Sequence, residues 1–361
     1  MSGTSLDGVD YALCEVELDR VQLVCHWHVQ FPVALRGRLN AAARGEAPSD
    51  EVGQLHHDLG RFYARQAARN SPRPPRLVGL HGQTIYHRPH PLAPATLQIG
   101  EPAYLVETFR VPVVSNFRAL DLAAGGQGAP LATLFHKVVF ARRGKHICVN
   151  NLGGISNVTS IDWRQSRKPR MLAFDTGPAN VLIDLAMRRF TKGRLAFDNG
   201  GRWAARGTVS EDALRRWLAH PYLRRPPPKS TGRELFGERF LQRALRDLRR
   251  QSRYNVLATL TEFSARALTL NYQLHLPSKP DAVILTGGGA ANRTLLNGIA
   301  RQFQKVNPEV LTSEELGWPR QCVEPAAFAL LAYYRWARLP ANLPATTGAS
   351  RPALLGQLSE P

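Results

Sequence analysis

Residues 9–19, VDYALCEVELD, alternate apolar and polar positions, and 21–31, VQLVCHWHVQF, resume the alternation after Asp19-Arg20. A period of two marks half-buried strands, so this stretch predicts a hairpin. Between 50 and 69 the period lengthens. Val52, Leu55, Leu59 and Phe62 fall on one helical stripe, with Ser49 as the expected N-cap. RLVGLHGQT (76–84) is a short apolar strand running into a glycine turn. HICVNNLGGISNVTSI (146–161) reads strand, glycine turn, strand. MLAFDTGPANVLIDLAMRR (171–189) reads strand, turn, helix, with Pro178 in the first helical turn, where its missing N–H is not needed. A Pro- and Arg-rich stretch interrupts at 221–233. Leu257, Leu260, Ala267, Leu270 and Leu274 then mark a long amphipathic helix within 255–276. DAVILTGGGAANRTLL (281–296) repeats the strand–glycine–helix grammar, and EPAAFALLAYYRWA (324–337) is an apolar helix. There is no solenoid period.

A hairpin with a glycine turn occurs in each half of the chain, which suggests two related α/β lobes around a cleft. The expected division is 1–135, joined by the helix 324–337, and 136–361, with the boundary between Gln127 and Lys145. The 361 residues and 43% hydrophobic composition suffice for a large core. No apolar stretch reaches the ~20 residues of a membrane span, and the N-terminus lacks a signal peptide's order, so a cytoplasmic protein is expected. The cysteines at 14, 25, 148 and 322 have neither zinc nor CxxC spacing; Cys14, Cys25 and Cys148 sit in strand-like runs and read as buried thiols. His26 and His28 share a strand face, but no third metal ligand accompanies them.

Charge changes the picture more. The chain has 47 Lys and Arg against 28 Asp and Glu, a net +19. Such an excess attracts anions and nucleic acid non-specifically. The basic runs are Arg-dominated and carry no interleaved aromatic strand, so no specific nucleic-acid groove is expected.

Three glycine turns adjoin strands: SGTSLDG (2–8), NLGGISN (151–157) and TGGGAAN (286–292). Glycine admits positive φ and lets backbone N–H groups approach a phosphate. None follows GxxxxGK[ST] or GxGxxG. Two opposed turns on phosphates with a third under a nucleobase resemble the sugar kinase, Hsp70 and actin superfamily. In that setting Thr4 and Ser5 offer hydroxyls to phosphate oxygens, and Asp7 holds a water of Mg²⁺. Asp7 as a turn-capping carboxylate is the alternative. Asp175 follows an apolar strand and precedes a turn and a helix. Partial burial there raises a carboxylate's pKa toward that of a useful base, and a helix N-cap fits the same spacing. Asp184, nine residues on and within the helix, reads as structural.

MSGTSLDGVD, GLHGQTIYHRP, LQIGEPAYLVE, DLAAGGQGAPL, NLGGISNV, FDTGPANVLID, DNGG, KSTGRELF, TGGGAANRTLL and TTGAS follow one another in the order of the anhydro-N-acetylmuramic acid kinase family, which the chain resembles along its length. The resemblance implies two lobes of ribonuclease H-like, actin-like ATPase fold. It implies ATP and Mg²⁺ as cofactors, with nucleotide contacts from Gly3, Thr4, Ser5, Leu6, Asp7, Gly8, Val9 and Asp10, from Asn151, Gly153 and Gly154, and from Gly287, Gly288, Gly289 and Asn292. It implies that Asp175 activates water against C1 of the anhydro sugar, that the 1,6 bridge opens, and that O6 takes the γ-phosphate, giving N-acetylmuramic acid 6-phosphate in cell-wall recycling. Gln83, Thr84 and Gln127 are implied on the sugar side. Arg118 is a candidate partner for the lactyl carboxylate, and Glu324 orients substrate or metal. The partner implied is a small amino sugar, with no membrane; a homodimer is compatible.

The chain departs from the family in one place. Relatives carry an apolar strand before MSGTS, and this sequence begins inside the signature. A missing first strand would leave a sheet edge unpaired, an expectation that favours a start further upstream. Three alternatives stay open: a pseudoenzyme that binds nucleotide or sugar without turnover, a plain sugar kinase, and a basic nucleic-acid-binding protein on this scaffold.

Overall fold

The computed structural model describes residues 1–3, 6–89, 92–304 and 308–361. They form two compact units, Met1–Val139 with Gln321–Pro361, and Phe140–Arg320. The described strands are β1 (Gly8–Val16), β2 (Val21–Gln30), β3 (Val78–Gly79), β4 (Gln83–Arg88), β5 (Ala95–Ile99), β6 (Val113–Ser115), β7 (His146–Leu152), β8 (Ile155–Asp162), β9 (Arg170–Pro178), β10 (Ala282–Thr286), β11 (Glu309–Thr312) and β12 (Gln357–Ser359).

In the first unit the expected hairpin forms. β1 and β2 pair antiparallel, with Val9 opposite Val29 and Tyr11 opposite Trp27. Their rings stack at 5.1 Å. Met1 exchanges both backbone hydrogen bonds with Asp10, at 2.8 Å each. β12, β6 and β3 make a second sheet, and β4 with β5 a third. The helix Ser49–Asn70 buries Leu55 and Leu59 of the expected stripe, while Val52 and Phe62 are only partly buried and Tyr63, outside the stripe, is buried with them. Ser49, however, is the first helical residue and makes no capping bond; Pro48 is the N-cap, and Asp50 and Glu51 complement the helix dipole instead. The helix Val323–Trp336 packs on β1, β3 and β6. It approaches so closely that a Cβ at Gly79 would strike the Phe328 carbonyl. The segment from Gln321 to the C-terminus belongs to this unit, with β12 antiparallel to β6.

The second unit has one five-stranded sheet in the order β11-β10-β7-β8-β9. β10 runs parallel to β7 and β11, whereas β8 runs antiparallel to β7 and β9. Counted within the unit, the order is 5-4-1-2-3 with only the second strand reversed, which is the ribonuclease H-like topology of actin-like ATPases. The central strands β7 and β10 are buried almost throughout, as strands covered on both faces must be. The helix Arg253–His275 carries Val256, Leu257, Leu260, Phe263 and Ala267 into the core. Leu270 is only partly buried and Leu274 is exposed, so the stripe ends a turn earlier than expected. Phe240 stacks on Phe263 at 5.4 Å beneath it. Truncating such a ring costs about 3–5 kcal/mol.

Pro178 is a correction. It ends β9 rather than starting a helix, because Gly177 and Pro178 remain opposite Ser156 and Ile155 in the ladder. The helix begins at Val181 behind Asn180. Cys148 and Cys322 are buried, Cys14 and Cys25 are half-buried, and all four are free thiols. Among the described residues no three His, Cys, Asp or Glu side chains could hold a metal ion together. His28 instead meets Asp10, Nδ1 to Oδ1 at 2.8 Å. No described helix is long and apolar enough to cross a membrane.

Candidate functional site

The carboxyl ends of β7, β9 and β10 point the same way, and the polar loops of the second unit gather there. Ligands of open α/β sheets bind outside these strand ends. Thr286 pairs with Asn151, which places the turns 151–154 and 287–289 side by side. Gly287 has φ +81°, and a Cβ there would strike the Asn151 side chain and the Leu152 backbone. Gly289 is equally confined, against Leu152 and the Asn180 amide. Asn180 ties the turn down by donating from Nδ2 to the carbonyls of Leu152 (3.0 Å) and Gly153 (2.8 Å). Asn292 is engaged as an N-cap, its Oδ1 accepting from the Leu295 N–H at 3.0 Å.

Asp175 lies two strands from β7, about 10 Å across the sheet. It is not a helix cap, since the ladder continues past it to Pro178. Its residue is fixed from three sides. The Asp175 N–H donates to the Lys229 carbonyl (3.2 Å), Tyr222 donates its hydroxyl to the Asp175 carbonyl (2.9 Å), and the Thr231 N–H donates to Oδ2 (2.9 Å). Burial pushes the carboxyl up to about 6, and the nearby Glu234 adds to this. The Thr231 N–H and the Lys229 charge pull the other way without cancelling it. The result is a carboxylate that is ionised at neutral pH yet basic enough to take a proton. Asp184, on the helix Val181–Phe190, is also raised by burial, to about 7, against the pull of Arg188 and Arg233.

In the first unit Ser2 and Gly3 rest on Gln83. Ser2 bridges to Gln83 in parallel, and Gln83 Nε2 donates to the Gly3 carbonyl at 3.1 Å. Gln83 is fully buried, and its Oε1 has no partner among the described residues. Leu6 takes φ +56°, and the Asp7 carbonyl accepts from the Phe31 N–H. Gly8 and Val9 enter β1, where Gly8 lies against the His28 ring and Asp10 pairs with that imidazole. Thr4 and Ser5 lie outside the described residues. Thr84 accepts at Oγ1 from Gln98.

Arg118 is the other charged centre of this unit. Its Nε and Nη2 donate to His81 Nε2 (3.2 and 3.0 Å), and Nη1 donates to the Gly128 carbonyl (2.7 Å). His81 Nδ1 donates to the Gly82 carbonyl, so the ring is neutral; burial, then Arg118, holds its pKa well below the ordinary value. Burial lowers Arg118 too, while Glu324 and Asp121 support its charge from a distance. A guanidinium with spare N–H donors and, among the described residues, no carboxylate bonded to them can take an acidic ligand. Gln127 is positioned through its backbone, its N–H donating to the Thr347 carbonyl.

Several residues in these arrangements carried no role in the sequence. Asp121 is fully buried and accepts from the Gly128 N–H, Asn342 Nδ2 and Thr347 Oγ1, each at 2.8 Å. It thereby ties the GGQG loop to the C-terminal TTGAS stretch. Lys229, Thr231, Tyr222 and Asn271 surround Asp175. Lys229 and Thr231 stand in the KSTGRELF motif, but only the fold shows that this strap covers the edge of β9.

A family model described as anhydro-N-acetylmuramic acid kinase matches residues 1–360. The curated protein of that name from Acaryochloris marina is 41% identical over 372 residues, covering 99% of this chain and 98% of that one. The one from Picosynechococcus sp. is 40% identical over 377 residues, covering 100% and 98%. A ROK family glucokinase from Streptomyces griseus, solved with glucose and AMPPNP, aligns at 14% identity and a TM-score of 0.36, over 90% of this chain and 99% of that one.

Proposed function

The chain belongs to the anhydro-N-acetylmuramic acid kinase family, and on that premise we propose how its own residues carry the reaction. The enzyme is an ATP-dependent kinase of the anhydro sugar. Water adds to C1 and gives one proton to Asp175. The C1–O6 bond breaks, its electron pair stays on O6, and O6 displaces ADP from the γ-phosphate. Opening the bridge creates the nucleophile, so one base serves both halves of the reaction. The product is N-acetylmuramic acid 6-phosphate.

The observation that carries this reading is Asp175: a carboxylate at the strand ends, held by a single N–H and raised by burial to about 6. The turns at Asn151–Gly154 and Gly287–Gly289, and the turn from Gly3 to Asp10, are assigned to the nucleotide. Asn292 supports the last of the two paired turns as a cap. Arg118 is assigned to the lactyl carboxylate, with Gln83, Thr84, Gln127 and Glu324 on the sugar side. Asp7 is exposed and offers a carboxylate oxygen. That fits Mg²⁺, which keeps most of its ligands as waters and phosphate oxygens and needs no protein cage. Bound there, the ion would neutralise charge on the transferring phosphate. Use of ATP fits a cytoplasmic enzyme.

No observation favours a binding protein without turnover. A plain sugar kinase would leave the anomeric oxygen unchanged. Incubation in ¹⁸O-labelled water should put the label at C1 of the product, and an unlabelled product would remove the hydrolytic half.

A further inference from the structure

The strap Lys229–Thr231 runs along the open edge of β9 beside Asp175. Its first residue is an anchor of unusual kind. Lys229 is 4% exposed, yet among the described residues no carboxylate hydrogen-bonds to its ammonium. Nζ donates to the carbonyls of Tyr222 and Leu223 (3.3 Å each) and to Asn271 Oδ1 (2.5 Å). Asn271 in turn donates from Nδ2 to the Thr176 carbonyl at 2.9 Å, next in chain to Asp175. Strap, helix and catalytic strand are therefore pinned together at one point.

Thr231, the strap's third residue, uses its N–H on Asp175 Oδ2. Its hydroxyl is shielded from solvent and has no hydrogen-bond partner among the described residues. An unmet hydroxyl in such a place is unfavourable unless a ligand meets it. The same residue therefore brings to the Asp175 carboxylate both a used N–H and an unused hydroxyl.

We infer that the Thr231 hydroxyl is the second group that holds the attacking water, with Asp175 taking the proton and Lys229 fixing the strap that carries both contacts. This rests on Asp175 being the base. The water's oxygen bonds to C1, one of its protons passes to Asp175 Oδ1, and the other is free to hydrogen-bond. The hydroxyl of Thr231 sets the direction of attack without being consumed. The titratable groups facing Asp175 are Lys229, Glu234 and Tyr222, with Arg225 behind them. Replacing the Thr231 side chain alters none of these and keeps the backbone N–H.

The test compares Thr231→Val, which keeps shape and loses the hydroxyl, with Thr231→Ser, which keeps it. Asp175→Asn is the reference, and the readouts are sugar-dependent ADP release, KM for both substrates and the pH profile. The expected result is a fall in kcat of about 10²-fold in Thr231→Val, with sugar KM within threefold and the acid limb still near pH 6. Thr231→Ser should stay within about fivefold of the parent. Thr231→Ala replaces Thr231→Val if the latter melts early. Unchanged kcat in the hydroxyl-free variant, a loss confined to KM, or Ser as poor as Val would each overturn the inference while Asp175 stands. Sugar-dependent turnover surviving in Asp175→Asn would remove the base itself, which is a separate failure.

Discussion

The first unit holds 16 Lys and Arg against 14 Asp and Glu, and the second holds 31 against 14. Nearly all of the chain's +19 therefore belongs to one unit. In the first, one helix face is well paired: Arg38 reaches Glu51 (2.5 Å) and Asp58 (2.8 Å), and Arg61 shares Asp58. In the second, Glu262 gathers Arg266, Arg301 and Gln302. Arg239, Arg243 and Arg246, by contrast, stand exposed with no ion pair among the described residues. A basic unit should depress its acids, yet Asp175 is raised to about 6. The near-neutral unit holds Arg118, whose pKa is lowered. Local burial decides both. Exposed charges beyond a Debye length of ~8 Å are screened, while a desolvated group feels its own cavity in full. Net charge thus sets what the surface attracts, and burial sets what the site can do.

The largest expected effect tests that burial in the second unit. Asp175→Asn should lower sugar-dependent turnover by about 10³-fold or more while nucleotide affinity, read by calorimetry, moves less than threefold. In the parent, activity should fall below about pH 6 as the carboxylate protonates. The sign for stability is opposite to the usual carboxylate. The folded value exceeds the ordinary 3.8, so ionisation opposes folding above about pH 6 and the penalty is gone below 3.8. Asp175→Asn should therefore stabilise the protein by about 1–3 kcal/mol at pH 8 and have no such effect at pH 4, measured by urea melts. A destabilised variant at pH 8 would mean that the site is wetter than its packing suggests.

The first unit's counterpart is Asp121, fully buried where Asp175 is half-buried, and accepting three hydrogen bonds. Asp121→Ala strands the donors of Gly128, Asn342 and Thr347, and should cost about 3 kcal/mol in urea unfolding. A loss under 1 kcal/mol would show that the GGQG loop and the TTGAS stretch hold without it. Smaller again is Arg118→Met. If its free donors serve the lactyl carboxylate, sugar KM should rise about 10–50-fold with kcat within threefold. Unchanged KM would return Arg118 to a structural role with His81 and Gly128.

The same comparison explains what could be read from sequence. Period-two alternation exposed the hairpin β1–β2, and apolar runs ending in glycine turns exposed β7, β9 and β10, because those signals are local. Pro178 misled because a helix-start preference lost to a ladder partner, Ile155, that only tertiary pairing supplies. Ser49 was displaced by Pro48 in the same way. Asp175 was legible as an acid after an apolar strand, but its alternative, a helix cap, could be excluded only by the register with Asn157. The strap residues were not legible, since Lys229 lies 54 positions from Asp175 and in a Pro-rich stretch that reads as a loop. Asp121 likewise depends on partners more than 200 residues away.

The smallest effects concern the surface, and they should differ in sign between the units. Arg239, Arg243 and Arg246 share one exposed face of the helix Glu238–Asp247, at spacings of four and three. Like charges at those spacings cost a few tenths of a kcal/mol per pair. Changing all three to Gln should stabilise the protein by about 0.5 kcal/mol at low salt, a gain that vanishes at 0.5 M salt as the repulsion is screened. Arg38→Gln in the first unit should do the reverse. It removes contacts to Glu51 and Asp58, so it should cost about 0.5–1 kcal/mol at low salt and less at high salt. Retention on a polyanion column should fall for the triple variant far more than for Arg38→Gln, with turnover intact in both. Equal salt responses in the two units would show that their charges act as one field, and the contrast drawn from ion pairing would then fail.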